Sequence, residues 1–196
     1  LLNEQFKDEY YNELKTVYNY LKTKFKLEPI LGKQVQFFRL RPNNFPTIRL
    51  SQLANLYFTQ KNLFSKIMDC DSVENYYKLF QVKTSAYWEN HFTFGKTSIS
   101  KEKRLTKNFI NLLLINTIIP LKFLYLKNNN NFEVDVFFKL LQQLKAEQNT
   151  TIKKFSELKF KSENALDTQA LIELKTQYCN QHKCLGCSIG KEILTT

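Results

Sequence analysis

Apolar residues recur along this chain at steps of three and four, which is the period of an α-helix with one buried face. The first such stretch covers residues 3–26, and its apolar positions are Phe6, Tyr10, Leu14, Val17, Leu21 and Phe25. The same period predicts further helices over about 104–126, 132–146, 150–160 and 165–181. The pattern therefore indicates a mainly α-helical fold.

One segment departs from the helical period. Residues 34–40 alternate enough to permit a minor β element, and we expect at most that one. The residues that follow cannot be regular, because Pro42 and Pro46 lack a backbone N–H and disfavour helical geometry in the residue before them. We predict a rigid proline-rich loop there, followed by a helix whose N-cap is Thr47.

Length and composition favour one compact multi-helix domain over 1–196, with 1–103 and 104–196 as the subdomains if it divides. Only four Gly and four Pro occur in 196 residues, and 43% of the residues are hydrophobic, so long regular elements are expected. The chain begins at Leu1 with a polar stretch that has no signal-peptide pattern. We expect a fragment of a longer, cytoplasmic protein.

The longest apolar run covers residues 109–126, and it contains Asn111, Asn116, Pro120 and Lys122. A hydrocarbon core would penalise these polar groups heavily. The run therefore predicts a buried helix and no membrane partner.

The net charge of +11 favours a polyanionic partner such as nucleic acid. An abundance of Lys and Asn also accompanies AT-rich coding, which supplies surface lysines without selection for binding. The arginines are more informative, because three of the four, Arg39, Arg41 and Arg49, lie within eleven residues. Their clustering points to one segment of the chain.

That segment combines Arg39, Arg41 and Arg49 with Asn43, Asn44 and two prolines. Guanidinium groups bind phosphate in a bidentate manner, and the first amides of a helix are unpaired donors, so these five residues are candidate nucleic-acid ligands. In the alternative interpretation they bond loop carbonyls or acidic neighbours. The sequence leaves both interpretations open.

Three cysteines, Cys179, Cys184 and Cys187, fall within nine residues at the end of a predicted helix. A Cys-x-x-Cys pair with a third thiol nearby suits zinc or an iron–sulfur cluster, with His182 or Cys70 as the candidate fourth ligand. Alternatively, these thiols are reduced and form a C-terminal cysteine knuckle without metal, and no other cofactor is expected. Chains without an export signal seldom carry disulfides.

Motifs spread over nearly the whole chain resemble the C-terminal half of the bacterial domain-of-unknown-function family 2851. They are Arg39-Leu-Arg41-Pro42-Asn43, Tyr87-Trp88-x-x-His91, Ala146-Glu147-x-Asn149, Ala165-x-Asp167-x-Gln169 and Cys184-Leu-x-Cys187. The resemblance implies an N-terminal half, outside this chain, that is similar to restriction-endonuclease-like nucleases. Catalysis would belong to that half, which would also be a partner of this chain.

The sequence thus predicts a helical nucleic-acid-binding module that accompanies a nuclease-like domain and is not catalytic by itself. The alternative is a non-enzymatic interaction or scaffold module with incidental basic charge. Its docking surface would be formed by the aromatic residues Tyr76, Tyr77, Tyr87 and Trp88.

Overall fold

The structure is a computed structural model that describes residues 6–30, 35–130 and 132–195. It confirms the mainly α-helical fold class. The helices and strands are α1 Glu9–Phe25, α2 Pro46–Thr59, α3 Leu63–Asp69, α4 Val73–Leu79, β1 His91–Thr93, β2 Lys96–Thr97, α5 Lys107–Leu113, α6 Ile119–Asn128, α7 Val134–Gln143, α8 Thr150–Glu157, α9 Ala165–Glu173 and α10 Ser188–Thr195. Short 3-10 helices lie at Pro42–Asn44, Ala86–Glu89 and Cys184–Gly186, and π-helical turns lie at Leu114–Ile118 and Leu174–Cys179.

The chain divides into two compact units. Unit 1 comprises residues 1–63 and 79–106, and unit 2 comprises residues 64–78 and 107–196. Unit 2 is therefore built from two separate stretches of sequence.

The core of unit 1 is aromatic. Tyr11, Ile48, Trp88 and Phe94 are buried together there, and the Trp88 and Phe94 rings meet edge to face at 5.0 Å. Strands β1 and β2 form an antiparallel hairpin beside this core. Its turn requires Gly95, which has φ +69° and lies so close to the Phe6 ring that a Cβ would be 3.2 Å from Phe6 Cδ1.

The small β element is present, but it lies at residues 91–97 and not over 34–40 as predicted. Residues 35–40 contain a turn in which Leu40 N–H donates to the Phe37 carbonyl, and Gln34 lies outside the described residues. Arg39 in that turn has φ +62°, which is incompatible with a strand ladder. The described residues 35–40 therefore form a loop that is anchored by the Phe37 ring.

Asp8 caps the first helix and ties it to the hairpin. Its carboxylate accepts hydrogen bonds from Tyr11 N–H at 3.0 Å, from Tyr87 Oη and from Gly95 N–H at 3.4 Å. Burial alone would raise the pKa of Asp8, but these hydrogen bonds and nearby His91 lower it below 3.8. The ionised carboxylate therefore stabilises unit 1.

We predict that Asp8→Ala lowers the free energy of unfolding by about 1–2 kcal/mol at pH 7, the usual cost of losing an N-cap. Because the folded-state pKa of Asp8 is depressed, this contribution is present above pH 3.8 and disappears as the pH falls through the folded-state pKa. Urea titrations of wild type and variant should converge in acid. Glu9→Ala, one residue further on, is the control, and a constant difference at every pH would contradict the prediction.

In unit 2 the long apolar segment is one continuous helix with a widened middle. Helix α5 leads through the π-helical turn Leu114–Ile118 into α6, where Pro120 occupies the first turn. Pro120 has no N–H to donate to the preceding turn, and the helix widens directly before it. The proline is therefore accommodated by a π-helical turn.

By length and composition, the segment Lys107–Asn128 would be able to cross a membrane, and about a third of its most apolar window is buried. Core helices of soluble proteins meet the same two criteria. Lys122 lies inside this segment, is 4% exposed, and donates a hydrogen bond from Nζ to the Cys70 carbonyl of unit 2. That carbonyl lies directly after helix α3, where a cation stabilises the helix end.

Candidate nucleic-acid interface

The proline-rich loop of unit 1 is held at one end by packed phenylalanine rings and at the other by a short 3-10 helix. The Phe37 ring packs edge to face against Phe45 at 5.1 Å, and Phe45 packs against Phe92 at 6.4 Å. After Arg41 the chain forms the 3-10 helix Pro42–Asn44, closed by a hydrogen bond of 2.7 Å from Asn44 N–H to the Arg41 carbonyl. The loop is therefore a rigid platform.

Helix α2 follows without a side-chain cap. It begins at Pro46, one residue before the predicted N-cap Thr47, so that prediction is wrong. A proline at the first helical position has its φ already set and lacks only an N–H that would be unpaired there anyway. The Thr47 hydroxyl instead is buried and donates to the Phe92 carbonyl at 2.6 Å, which ties α2 to the hairpin.

Arg39 and Arg41 are both exposed on this loop. The Arg39 guanidinium carbon lies 5.2 Å from the centroid of the Phe38 ring, and the Phe38 side chain is 76% exposed. Within the described ranges, neither arginine forms an ion pair. A cationic plane stacked on an exposed aromatic ring is an arrangement that accepts phosphate and nucleobases.

Arg49 is directed inward and differs from the other two. Its guanidinium donates to Asn44 Oδ1 at 2.6 Å and to Gln52 Oε1 at 2.8 Å. Burial lowers the pKa of Arg49, although a guanidinium stays charged at neutral pH. Arg49 thereby clamps the 3-10 helix onto α2, and Asn44 contributes its side-chain oxygen to that clamp. Asn43 is exposed.

The clamp continues into a buried polar chain. Gln52 is 2% exposed and donates to the Lys103 carbonyl at 3.1 Å. Lys103 is 5% exposed, and its ammonium donates to the Trp88 and Glu89 carbonyls and lies 4.2 Å from the centroid of the Phe92 ring. Burial lowers the pKa of Lys103, while nearby Glu89 raises it. The loop, α2 and the end of the 86–89 helix are thus joined by one network.

The cations of unit 1 outnumber its acids. Unit 1 contains fifteen Lys and Arg against seven Asp and Glu, a net charge of +8, whereas unit 2 contains fourteen against eleven, a net charge of +3. All four arginines belong to unit 1. Glu89 and Glu102 pair with Lys83, and Glu102 also pairs with Arg104, so these carboxylates are engaged away from Arg39 and Arg41.

Cys179 ends the π-helical turn Leu174–Cys179, Cys184 begins the 3-10 helix Cys184–Gly186, and Cys187 lies directly before α10. Cys179 and Cys184 are exposed, Cys187 is half-buried, and all three are free thiols, as is Cys70. Gly190 is required here, because a Cβ would overlap the Cys184 carbonyl. Among the described residues, which include His182, no three His, Cys, Asp or Glu side chains are grouped to hold a metal ion. Zinc or an iron–sulfur cluster at this turn stays a prediction.

The aromatic docking surface predicted for the alternative function is wrong. Tyr76 is 0% and Trp88 3% exposed, and the half-buried Tyr77 and Tyr87 donate their hydroxyls to Asn111 and Asp8. Short aromatic clusters pack inward here because they supply most of the cores of small units. Exposed apolar side chains of unit 1 include a row along α1, formed by Leu14, Val17, Tyr20, Leu21 and Phe25, and others along α2, among them Leu50, Leu53, Tyr57 and Phe58.

Sequence reasoning missed Gln52 and Lys103, the buried residues that support the loop. Lys103 lies in a Lys-rich polar stretch that is typical of a solvated connection, and only the packing of unit 1 shows that it is buried.

A protein-family model described as "Protein of unknown function (DUF2851)" matches residues 1–150, about three quarters of the chain. No curated protein and no solved structure matches the chain. The family match covers all of unit 1 and the first part of unit 2.

Proposed function

Because the chain belongs to domain-of-unknown-function family 2851, whose description states no reaction, we propose from the chemistry of its surface that it is a helical nucleic-acid-binding module. The single observation that carries this proposal is the loop of unit 1. There Arg39 and Arg41 are exposed, are free of ion pairs in the described part of the chain, and adjoin the exposed ring of Phe38.

The arrangement favours a single-stranded ligand. An exposed aromatic ring offers a stacking surface to an unpaired base, and the guanidinium groups of Arg39, within the turn, and Arg41, after it, would contact the phosphates that flank that base. The rigid support by Arg49, Gln52 and Lys103 lowers the entropy cost of ordering the loop on binding. Arg49 is then a positioning residue, and Arg39 and Arg41 are the phosphate ligands.

We also propose how this module works within a longer protein. The resemblance of the chain implies a restriction-endonuclease-like half elsewhere in the longer protein, and a cytoplasmic module of this kind would hold nucleic acid for that half. The Lys107–Asn128 segment would be a core helix of unit 2, which the burial of Lys122 supports.

Reversing the charges of the loop tests the proposal. We expect Arg39→Glu with Arg41→Glu to weaken binding of a fluorescently labelled single-stranded oligonucleotide by at least about tenfold, because two charge-assisted contacts are lost. Fluorescence anisotropy measures the dissociation constant, and circular dichroism checks that the fold is kept.

The matched control is Lys139→Glu with Lys153→Glu, which changes the net charge equally at two exposed positions of unit 2. It should reduce affinity much less. An equal loss of affinity in both double variants would mean that only the net charge of the chain matters and not its position, and the proposal would then fail.

A protein-interaction module is the second candidate, and the exposed apolar side of α1 favours it. Leu21 and Phe25, which are 38% and 58% exposed, lie on that side beside Lys22 and Lys24. The implied other half of the longer protein would be the partner that covers it. The same charge-reversal experiment separates the candidates, because this one predicts no change in oligonucleotide affinity.

A further inference from the structure

A polar cleft lies in unit 2, and the sequence motif Ala146-Glu147-x-Asn149 that lines it has no role in the proposed function. It has a volume of about 530 Å³, which falls in the usual range for small-molecule sites. One wall is the start of the long helix, with Asn108, Asn111, Leu112 and Ile115, and the other is the segment 145–149.

The wall formed by residues 145–149 is held in place from behind. Leu144 is 1% exposed, and its carbonyl accepts a hydrogen bond from Ala165 N–H at 2.9 Å. Glu147 accepts from Gln169 Nε2 through one carboxylate oxygen, Oε2. Asn149 caps α8 by accepting from Ile152 N–H at 3.0 Å. The polar groups of the cleft are therefore positioned before any ligand arrives.

The opposite wall presents donors. The Asn111 side-chain oxygen accepts from Tyr77 Oη at 2.6 Å, and this bond orients the amide so that its NH₂ group is the part available to a ligand. Asn108, three residues earlier on the same helix face, adds a second amide. Leu112 and Ile115 supply the apolar surface between the walls.

The combination selects for one class of ligand. The Glu147 carboxylate accepts from N–H donors, the Asn111 amide donates to ring nitrogens or carbonyls, and aliphatic side chains cover a flat face. Lys145 lines the same cleft and disfavours a cationic ligand, while it favours a phosphate at the rim.

We propose that this cleft binds a nucleotide whose base carries an exocyclic amino group, with Glu147 accepting from that amino group and Asn111 donating to the base edge. The inference goes beyond the proposed function, since it concerns unit 2 and uses none of the loop arginines. Glu147 and Asn111 are the specificity-determining residues.

Matched nucleotides provide the test. Cytidine monophosphate has an amino group at position 4 of the base, where uridine monophosphate has a carbonyl. Adenosine monophosphate has an amino group at position 6, where inosine monophosphate has a carbonyl. Isothermal titration calorimetry on the full chain should show at least about tenfold tighter binding of the amino-bearing member of each pair, because a carbonyl facing the carboxylate leaves both acceptors unpaired. Equal affinities within each pair, or no binding of any of the four, would overturn the proposal.

Variants assign the preference to the cleft. Glu147→Gln should reduce the preference within each pair to about twofold or less, because its amide can both donate and accept. Asn108→Ala, at an exposed position, should weaken the binding of all four nucleotides. Glu157→Gln in α8, which makes the same chemical change outside the cleft, is the matched control for Glu147→Gln. Retention of the full preference by Glu147→Gln would contradict the assignment. Arg39→Glu with Arg41→Glu should leave the preference within each pair unchanged, so failure here is distinct from failure of the proposed function.

Discussion

Replacing Lys103 with alanine should lower the free energy of unfolding of unit 1 by about 2–4 kcal/mol, because the Trp88 carbonyl loses its side-chain donor and the Glu89 carbonyl loses one of two donors. The ammonium of Lys103 donates to the Trp88 and Glu89 carbonyls, and the Glu89 carbonyl also accepts from Lys101 N–H at 2.8 Å. The contact with the Phe92 ring is lost as well. Trp88 is the single tryptophan of the chain, so its fluorescence in a urea titration reports the unfolding of unit 1 directly.

Lys101 provides the matched control for this variant. It lies two residues earlier in the same stretch and is exposed, so Lys101→Ala should change the free energy of unfolding by less than about 0.5 kcal/mol. If both lysine variants were equally stable, Lys103 would be an ordinary surface lysine and the buried network would not support the loop.

Trp88→Ala is the second large effect, with an expected loss of about 3–5 kcal/mol in the free energy of unfolding. Trp88 is 3% exposed and contacts Tyr10, Tyr87 and Phe94 edge to face. Its removal leaves a cavity in the aromatic core of unit 1, because the rigid rings around it cannot collapse fully into the space. Far-UV circular dichroism follows this variant, since the fluorescent probe is gone.

Phe58→Ala is the control for the loss of a large aromatic side chain. Phe58 lies near the end of α2 and is 84% exposed, so its truncation should cost less than about 0.5 kcal/mol. A similar loss in both aromatic variants would mean that burial does not decide their contributions.

The helical part of the fold was predictable from the sequence because it depends on local periodicity. Residues 3–26 were predicted as a helix, and α1 covers Glu9–Phe25 with Asp8 as its cap. The bounds of α7 and α8 likewise fall inside the predicted ranges. Asn149 and Asn164 cap α8 and α9 by accepting from the third residue along, as short polar residues before an apolar run commonly do.

What could not be predicted depends on contacts between distant residues. The strand element was placed at 34–40, whereas it lies at 91–97, because a hairpin needs a glycine with positive φ, and Gly95 supplies it. The prediction that Tyr76 and Trp88 face outward was wrong, since a cluster of aromatic residues has the same sequence pattern whether it faces inward or outward.

The candidate sites show the same division. The arginine loop was found because its residues are adjacent in sequence, but the inward direction of Arg49 depends on Gln52 and Asn44. The cleft of unit 2 combines residues 108–115 with residues 145–149, and no spacing rule connects two segments so far apart.

The salt dependence of oligonucleotide binding tests the central claim most directly. For single strands, the logarithm of the affinity falls with the logarithm of the salt concentration by about 0.7 for each phosphate contacted. Wild type should therefore show a steep negative slope, and Arg39→Glu with Arg41→Glu should reduce its magnitude by about 1.4, while the lysine control of unit 2 leaves it nearly unchanged. Binding that is insensitive to salt, or an absence of binding at low salt, would contradict the assignment of the loop as a phosphate-binding surface.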